Sequence, residues 1–71
     1  MDANAHDSRG LRRSELRRHI AAIEGILRRE EEYLARIPEN LQGGCRHEEA
    51  EYSVEQLMCA LDELRDAYPG L

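Results

Sequence analysis

The stretch Ile37-Pro38-Glu39-Asn40-Leu41-Gln42-Gly43-Gly44 separates two periodic segments of the chain. Proline has no backbone N–H and biases the preceding residue away from helical geometry, so a first helix is predicted to end near Ile37. Pro38 also suits the start of a short helical turn, and the two glycines supply the backbone freedom that a reversal needs. We expect Leu41, the one large apolar residue in the turn, to cap the end of the core.

Residues on both sides of this turn recur at alternating spacings of three and four, which is typical of a coiled-coil seam. The first seam comprises Leu16, Ile20, Ile23, Leu27, Glu30, Leu34 and Ile37. The second comprises His47, Ala50, Val54, Leu57, Leu61, Leu64 and Tyr68. When the chain folds back at the turn, the two seams stay in register through seven layers. The sequence therefore predicts an all-α fold, an antiparallel two-helix hairpin that resembles a coiled coil.

A chain of 71 residues forms at most one domain. Residues 1–8 are small, polar and aperiodic and are predicted to be a disordered N-terminus, with Ser8 a candidate helix cap. The hairpin domain covers residues 9–71, with a helix over 9–37, a turn over 38–45 and a helix over 46–68 that Pro69 stops. Gly25 indicates close approach by another backbone or by a ligand, or else has no special role.

Charge is divided unevenly between the two predicted helices. Residues 11–37 carry seven Arg and five Glu, whereas residues 46–68 carry two Arg and seven acidic residues, in a chain of net charge -5. This asymmetry favours attraction between the helices. All ten basic residues are Arg, the side chain that best binds phosphate or carboxylate through two hydrogen bonds. The net negative charge and the lack of a recognition-helix motif argue against duplex DNA as a partner.

Cysteine usage bears on the compartment. Cys45 and Cys59 are 14 residues apart on one predicted helix, and a disulfide cannot span the resulting distance of about 21 Å. Two free thiols fit a cytoplasmic setting, and an intermolecular disulfide is the alternative. We find no signal peptide and no run long enough to span a membrane, so no membrane partner is expected.

Further apolar stripes lie outside the seam. On the first helix the stripe contains Leu11, Ala22, Ile26 and Tyr33, with His19 beside it. The second helix carries a row of small residues, Ser53, Ala60 and Ala67, and an outer row of Cys45, Tyr52 and Cys59. Because a self-sufficient hairpin is polar outside its seam, these stripes predict a homo-oligomeric helical bundle, most simply a homodimer of four helices. The predicted interface with the oligomer or a partner comprises Leu11, Ala22, Ile26, Tyr33, Tyr52, Met58 and Cys59.

Metal and catalytic chemistry have little support in the sequence. Structural zinc sites use tightly paired ligands, a spacing that the cysteines and histidines here lack. A cysteine nucleophile needs a neighbouring base and a concave site, which a hairpin rarely provides. We therefore predict no metal, no cofactor and no enzymatic activity.

Glu30 interrupts the first seam opposite Val54. An unpaired carboxylate in a core is costly. Glu30 is therefore expected to pair with an Arg of a neighbouring chain, to bend outward at a wet layer, or to take part in binding.

Paired arginines in the first helix are candidates for anion binding. Adjacent residues diverge by about 100° on a helix, so one pair cannot form a clamp, but equivalent arginines of an oligomer can converge on a phosphate. The predicted ligand-binding residues are Arg12, Arg17, Arg28, Arg29 and, as a stacking surface, Tyr33. Alternatively, these arginines are solvated and paired with Glu15, Glu24, Glu31 and Glu32.

The motifs of residues 31–43, Glu-Glu-Tyr-Leu followed by Ile-Pro-Glu-Asn-Leu-Gln-Gly, resemble a small family of helical hairpin proteins from phages, prophages and mobile elements. Residues 48–57 match the acidic helix that follows in that family, Glu-x-Ala-Glu-x-x-Val-x-x-Leu. The resemblance covers about half of the chain. Gly44 departs from it, because a polar helix cap is expected there. No established activity comes with the resemblance.

Small non-enzymatic phage proteins often bind or sequester something that belongs to the host. The resemblance therefore implies a counter-defence protein in the cytoplasm of a bacterial host, which sequesters an anionic, nucleotide-like small molecule between protomers or blocks a host protein. The alternative is a structural or adaptor hairpin whose acidic second helix docks on a partner protein through Tyr52, Met58 and Cys59.

Overall fold

Two α-helices and one short turn make up residues 8–71, the part of the chain that this computed structural model describes. Helix α1 spans Arg9–Arg36, helix α2 spans Cys45–Asp66, and a 3-10 turn at Glu39–Leu41 lies between them. Residues 8–71 contain no strand. The prediction of an all-helical hairpin with two helices is confirmed. Of residues 1–8, which were predicted to be disordered, Ser8 is the N-cap of α1 and residues 1–7 lie outside the described residues.

Ser8 begins α1. Its backbone is extended, with φ −82° and ψ 161°, and its hydroxyl accepts a hydrogen bond of 3.1 Å from the Leu11 N–H. This bond satisfies one of the backbone donors that the first turn of a helix leaves free. At the other end, Ile37 has left helical geometry, with φ −66° and ψ 125°. The helix ends at Arg36, one residue before the predicted bound, because Pro38 excludes helical geometry at Ile37.

The turn reverses the chain through two glycines that act for different reasons. The Leu41 N–H donates to the Pro38 carbonyl at 2.8 Å and closes the 3-10 turn. Gly43 has φ +89°, a conformation that other L-residues rarely adopt. Gly44 has an extended backbone, but a Cβ atom there would lie 3.2 Å from the Leu41 carbonyl oxygen. Helix α2 therefore begins at Cys45 behind a glycine, without a side-chain cap.

Burial follows the two predicted seams. All fourteen seam positions are buried or half-buried, and Ile20, Ala50 and Leu61 are the fully buried core residues. Removal of this apolar surface from water is the main force that holds the helices together. The prediction that Leu41 caps the core is wrong, because Leu41 is 57% exposed. The turn extends beyond the last seam layer, and no other element of residues 8–71 covers it.

Contacts at the open end of the hairpin confirm that the helices are antiparallel. The Arg13 guanidinium donates to the Pro69 carbonyl at 3.3 Å, and the Arg9 guanidinium lies 4.7 Å from the centroid of the Tyr68 ring. Helix α2 ends at Asp66 rather than at the predicted residue 68, because Pro69 has no N–H to donate to the last turn and biases Tyr68 away from helical geometry. Neither helix in residues 8–71 is both long and apolar enough to cross a membrane.

Candidate functional site

Two broad faces flank the seam, and contacts between the helices show which residues belong to each. On one face, the carboxylate of Glu24 in α1 pairs with the guanidinium of Arg65 in α2. We call this the ion-pair face. Residues at heptad spacing from these two share the same side of their helix. They are Arg17, Glu31, Glu51 and Met58.

The opposite face is identified by a groove beside the turn, and we call it the groove face. Tyr33 and Arg36 of α1 line this groove together with Arg46 of α2, so all three lie on the same side of the hairpin. Residues at heptad spacing from them extend the face along both helices. In α1 these are Arg12, His19 and Ile26, and Glu15, Ala22 and Arg29; in α2 they are Ser53, Ala60 and Ala67.

The predicted interface residues occupy three surfaces. Ala22, Ile26 and Tyr33 lie on the groove face, where Ile26 and Tyr33 are each 45% exposed. Met58 lies on the ion-pair face, because it is seven residues from Arg65. Cys59 points in a different direction, because consecutive residues of a helix diverge by about 100°. The remaining three are exposed on the outer sides of the helices, opposite the seam: Leu11, Tyr52 and Cys59.

The predicted ligand-binding residues do not converge within one hairpin. Arg12 and Tyr33 are 21 residues apart, which corresponds to about 31 Å along α1. Arg12, Arg29 and Tyr33 lie on the groove face. Arg17 lies on the ion-pair face, with Arg28 at the outer edge of that face. One small ligand therefore cannot contact all five residues of a single protomer.

The acidic residues expected to pair with these arginines are engaged elsewhere or have no arginine partner. Glu24 pairs with Arg65, and the Glu15 carboxylate lies 3.8 Å from the His19 ring. Within residues 8–71, Glu31 and Glu32 form no ion pair. In that part of the chain, Arg17, Arg28 and Arg29 therefore have no carboxylate partner, and the alternative of local ion pairs does not describe them.

The groove beside the turn has a volume of about 460 Å³, and two arginines that were not among the predicted site residues, Arg36 and Arg46, line it. Its lining residues are Tyr33, Arg36, Ile37, Pro38, Leu41, Gly44, Cys45 and Arg46. No acidic side chain is among them. Neither Arg36 nor Arg46 forms an ion pair within residues 8–71. The sequence signal for this site is an arginine on each side of the turn, which the reversal brings onto one face.

A second, more open groove of about 600 Å³ lies on the outer side of α2. It is lined by Cys45, Glu48, Glu49, Tyr52 and Ser53. Two carboxylates beside a phenol ring give this surface the opposite charge from the groove at the turn. It suits a basic partner rather than an anion.

Potential metal ligands and thiols do not cluster in the described residues. No group of three or more His, Cys, Asp or Glu side chains in residues 8–71 is placed to hold a metal ion. Cys45 and Cys59 are free thiols at the surface. The half-buried His47 has its Nδ1 atom 3.5 Å from the Glu51 carboxylate, at a geometry that forms no hydrogen bond.

Glu30 is half-buried in the seam, as is Val54 opposite it. Within residues 8–71, Glu30 has no hydrogen-bonding or ion-pair partner. Pairing with a neighbouring chain, exposure at a wet layer and a role in binding therefore all remain predictions.

No protein-family model, curated protein or solved structure matches this chain. The resemblance of residues 31–57 to phage-associated hairpin proteins stays a prediction.

Proposed function

We propose that this chain is a non-enzymatic binding protein that works as a homo-oligomer of hairpins, most simply a homodimer. The observation that supports this proposal is the exposed apolar surface of the groove face, where Ile26 and Tyr33 are each 45% exposed. The hairpin buries only Ile20, Ala50 and Leu61 fully. Chains of this size usually need further stabilisation, and a second layer of helices over the groove face supplies it.

The charges of the groove face favour a second copy of the same chain as the covering partner. Arg29 and Arg36 border this face on the α1 side, whereas Glu49 and Glu63 lie next to the small-residue row on the α2 side. A twofold axis parallel to the helices lays α1 of one protomer over α2 of the other. Arg36 of each protomer then lies level with Glu49 of the other, so this attraction occurs twice in the dimer. Ala60 lies in the middle of the small-residue row and allows close approach of the helices.

The proposed activity of this assembly is sequestration of an anionic, nucleotide-like small molecule. Arg29 has no carboxylate partner within residues 8–71, and Tyr33 offers an exposed ring one helical turn away. Both lie on the face that the second protomer covers, so equivalent arginines of two protomers meet around a bound phosphate. Arg12 lies on the same face but about 26 Å from Arg29 along α1, so it takes no part in this site. Arg17 and Arg28 lie on the other side of the hairpin and take no part in this site. The resemblance of the turn favours a counter-defence role in a bacterial host.

A second candidate function rests on the acidic groove of α2. Glu48 and Glu49 border the exposed ring of Tyr52, a combination that fits a basic segment of a partner protein. In this alternative the chain is an adaptor, or it blocks a host protein. Replacement of Tyr52 and Cys59 by Ser should then abolish capture of the partner while the oligomer stays intact.

The assembly is tested by sedimentation velocity and native mass spectrometry on two matched variants. Ile26→Glu places a charge on the groove face, and Met58→Glu places the same charge on the ion-pair face, at residues that are 45% and 50% exposed. We expect the wild type and Met58→Glu to be oligomers and Ile26→Glu to be a monomer. Circular dichroism checks that both variants remain helical.

A monomeric wild-type chain at micromolar concentration contradicts the proposal, as does an equal effect of the two variants. Native mass spectrometry also reports any small molecule that co-purifies with the protein. A co-purified mass supports sequestration, whereas an oligomer that binds no anion but captures a protein through Tyr52 supports the adaptor alternative.

A further inference from the structure

We propose that the groove beside the turn binds a planar aromatic anion, with Arg36 and Arg46 holding the anionic group and Tyr33 stacking on the ring. The inference rests on the proposed binding function and names a site for it. That site differs from the arginines selected from the sequence, because all of its residues come from one protomer.

The position of the two arginines is the first reason. Arg36 is the last residue of α1 and Arg46 is the second residue of α2, and both line the same groove. No carboxylate lines the groove, and neither guanidinium has an ion-pair partner within residues 8–71. Guanidinium groups bind carboxylate, sulfonate and phosphate groups through paired, charge-assisted hydrogen bonds. The groove therefore has the donors for an anion, and no carboxylate among residues 8–71 of the same hairpin competes for them.

The start of α2 adds to this positive potential. Gly44 provides no side-chain cap, so the first backbone N–H groups of α2 have no acceptor from the cap residue. Arg46 also lies in the first turn, where the helix dipole disfavours a cation. A bound anion relieves both of these unfavourable features. They support the site, although the two guanidinium groups and the groove define it.

The apolar walls are the second reason, and they define the rest of the ligand. Ile37, Pro38 and Leu41 line the groove, and Leu41 is 57% exposed although it is a large apolar residue. A ring lying against Leu41 and Tyr33 removes this surface from water. The volume of about 460 Å³ lies within the usual range for small-molecule sites. The exposure of Leu41, which a role in the core does not explain, fits a role in the wall of a binding groove.

Size and surrounding charge narrow the ligand class. The acidic groove of Glu48 and Glu49 shares Cys45 with the groove at the turn, so negative charge begins directly beside the site. An extended polyanion such as a nucleic acid would meet these carboxylates. A neutral aromatic compound would leave both guanidinium groups without a partner. A compact anion with one ring system, such as a nucleoside monophosphate, meets both requirements.

The experiment uses two fluorescent probes that share a ring system and differ in charge. The anionic probe is 8-anilinonaphthalene-1-sulfonate, and the uncharged probe is N-phenyl-1-naphthylamine. Each is titrated into the full-length wild-type chain and into Arg36→Gln, Arg46→Gln and Arg28→Gln. Arg28 provides the matched control because it is an arginine of α1 without an ion-pair partner in residues 8–71, on the other side of the hairpin.

We expect Arg36→Gln and Arg46→Gln each to weaken binding of the anionic probe by roughly tenfold or more, which is the lower end of the effect of one charge-assisted hydrogen bond. Binding of the uncharged probe should stay unchanged, and Arg28→Gln should alter neither affinity. The inference is overturned if the wild type does not bind the anionic probe, or if Arg28→Gln weakens its binding as much as Arg46→Gln does.

Sedimentation velocity on the same samples separates this inference from the proposed assembly. If the chain is monomeric but Arg36→Gln and Arg46→Gln still weaken binding of the anionic probe, the groove site is supported and the proposed oligomer is contradicted. If the oligomer is intact but neither substitution changes binding of the anionic probe, the proposed oligomer is supported and the groove site is overturned.

Discussion

The Glu24 carboxylate pairs with Arg65 of the other helix and not with Arg28, which lies one turn further along its own helix. Local sequence rules favour the pair at positions i and i+4. The tertiary contact replaces it, because the antiparallel arrangement brings Arg65 beside Glu24. Arg65 also lies 3.5 Å from Asp62, which helps to fix its side chain. An ion pair thereby links the two helices on one face of the hairpin. Arg28 has no carboxylate partner in residues 8–71.

Loss of this pair should destabilise the hairpin only slightly. Glu24→Gln is expected to lower the free energy of unfolding by about 0.5 kcal/mol, because the side chains of Glu24 and Arg65 are 44% and 43% exposed and solvent screens the pair. Urea unfolding of Glu24→Gln, Arg65→Gln and the double variant gives the coupling energy between the two residues. High salt should reduce that coupling. A coupling energy of zero at low salt contradicts a stabilising pair.

Gly25→Ala should stabilise the chain by about 1 kcal/mol, which is the difference in helix propensity. A Cβ atom at this position would meet only the ends of Arg28 and Arg29, at 3.8 and 3.9 Å. Gly43→Ala is the control and should destabilise by about 1 kcal/mol, because φ at Gly43 is +89°. Thermal unfolding checks both variants. If Gly25→Ala weakens the oligomer, another chain approaches the backbone at that position.

Leu61 and Leu41 should respond very differently to truncation. Leu61 is 1% exposed, so Leu61→Ala leaves a cavity in the seam and should lower the free energy of unfolding by about 3 kcal/mol. Leu41→Ala should change it by less than about 0.5 kcal/mol, because Leu41 lies outside the core. Urea unfolding followed by circular dichroism measures both. A large loss for Leu41→Ala would show that oligomerisation or a ligand buries that side chain.

Glu30→Leu separates the three hypotheses for this residue. In an isolated hairpin, Leu at a half-buried seam position opposite Val54 should raise the free energy of unfolding by about 1 kcal/mol. Stabilisation with an unchanged oligomer supports a wet layer. Stabilisation of the hairpin together with a weaker oligomer, measured by sedimentation, supports pairing with an Arg of a neighbouring chain. A change in ligand binding alone supports a role in binding.

A charge exchange tests how two protomers are arranged. When α1 of one protomer lies over α2 of the other, Arg36 of the first is level with Glu49 of the second. Arg36→Glu and Glu49→Arg should each weaken the dimer by about fivefold, and the double variant should restore it. Sedimentation equilibrium measures the dissociation constants. The arrangement is contradicted if the double variant is weaker than either single variant.

The outline of the fold follows from local rules. Pro38 excludes helical geometry at the residue before it, and Ser8 caps α1 because serine is a favoured residue at a helix start. The alternating three- and four-residue spacing identifies the seam that is buried. These features depend on neighbours in the chain or one turn away, and side-chain chemistry is sufficient to predict them. Leu41 shows the limit of such rules, because its apolar side chain is exposed at 57%.

Packing between the helices determines where the candidate sites lie. Arg36 and Arg46 lie on opposite sides of the turn in the sequence, and only the reversal of the chain makes both of them line one groove. Likewise, the partner of Glu24 follows from the register of the two helices, and the pair separates the ion-pair face from the groove face. Periodicity predicts that a residue lies outside the seam, but the direction of the second helix establishes which outer residues share a surface. Residue types and spacing therefore account for the hairpin, and contacts between distant residues account for its binding surfaces.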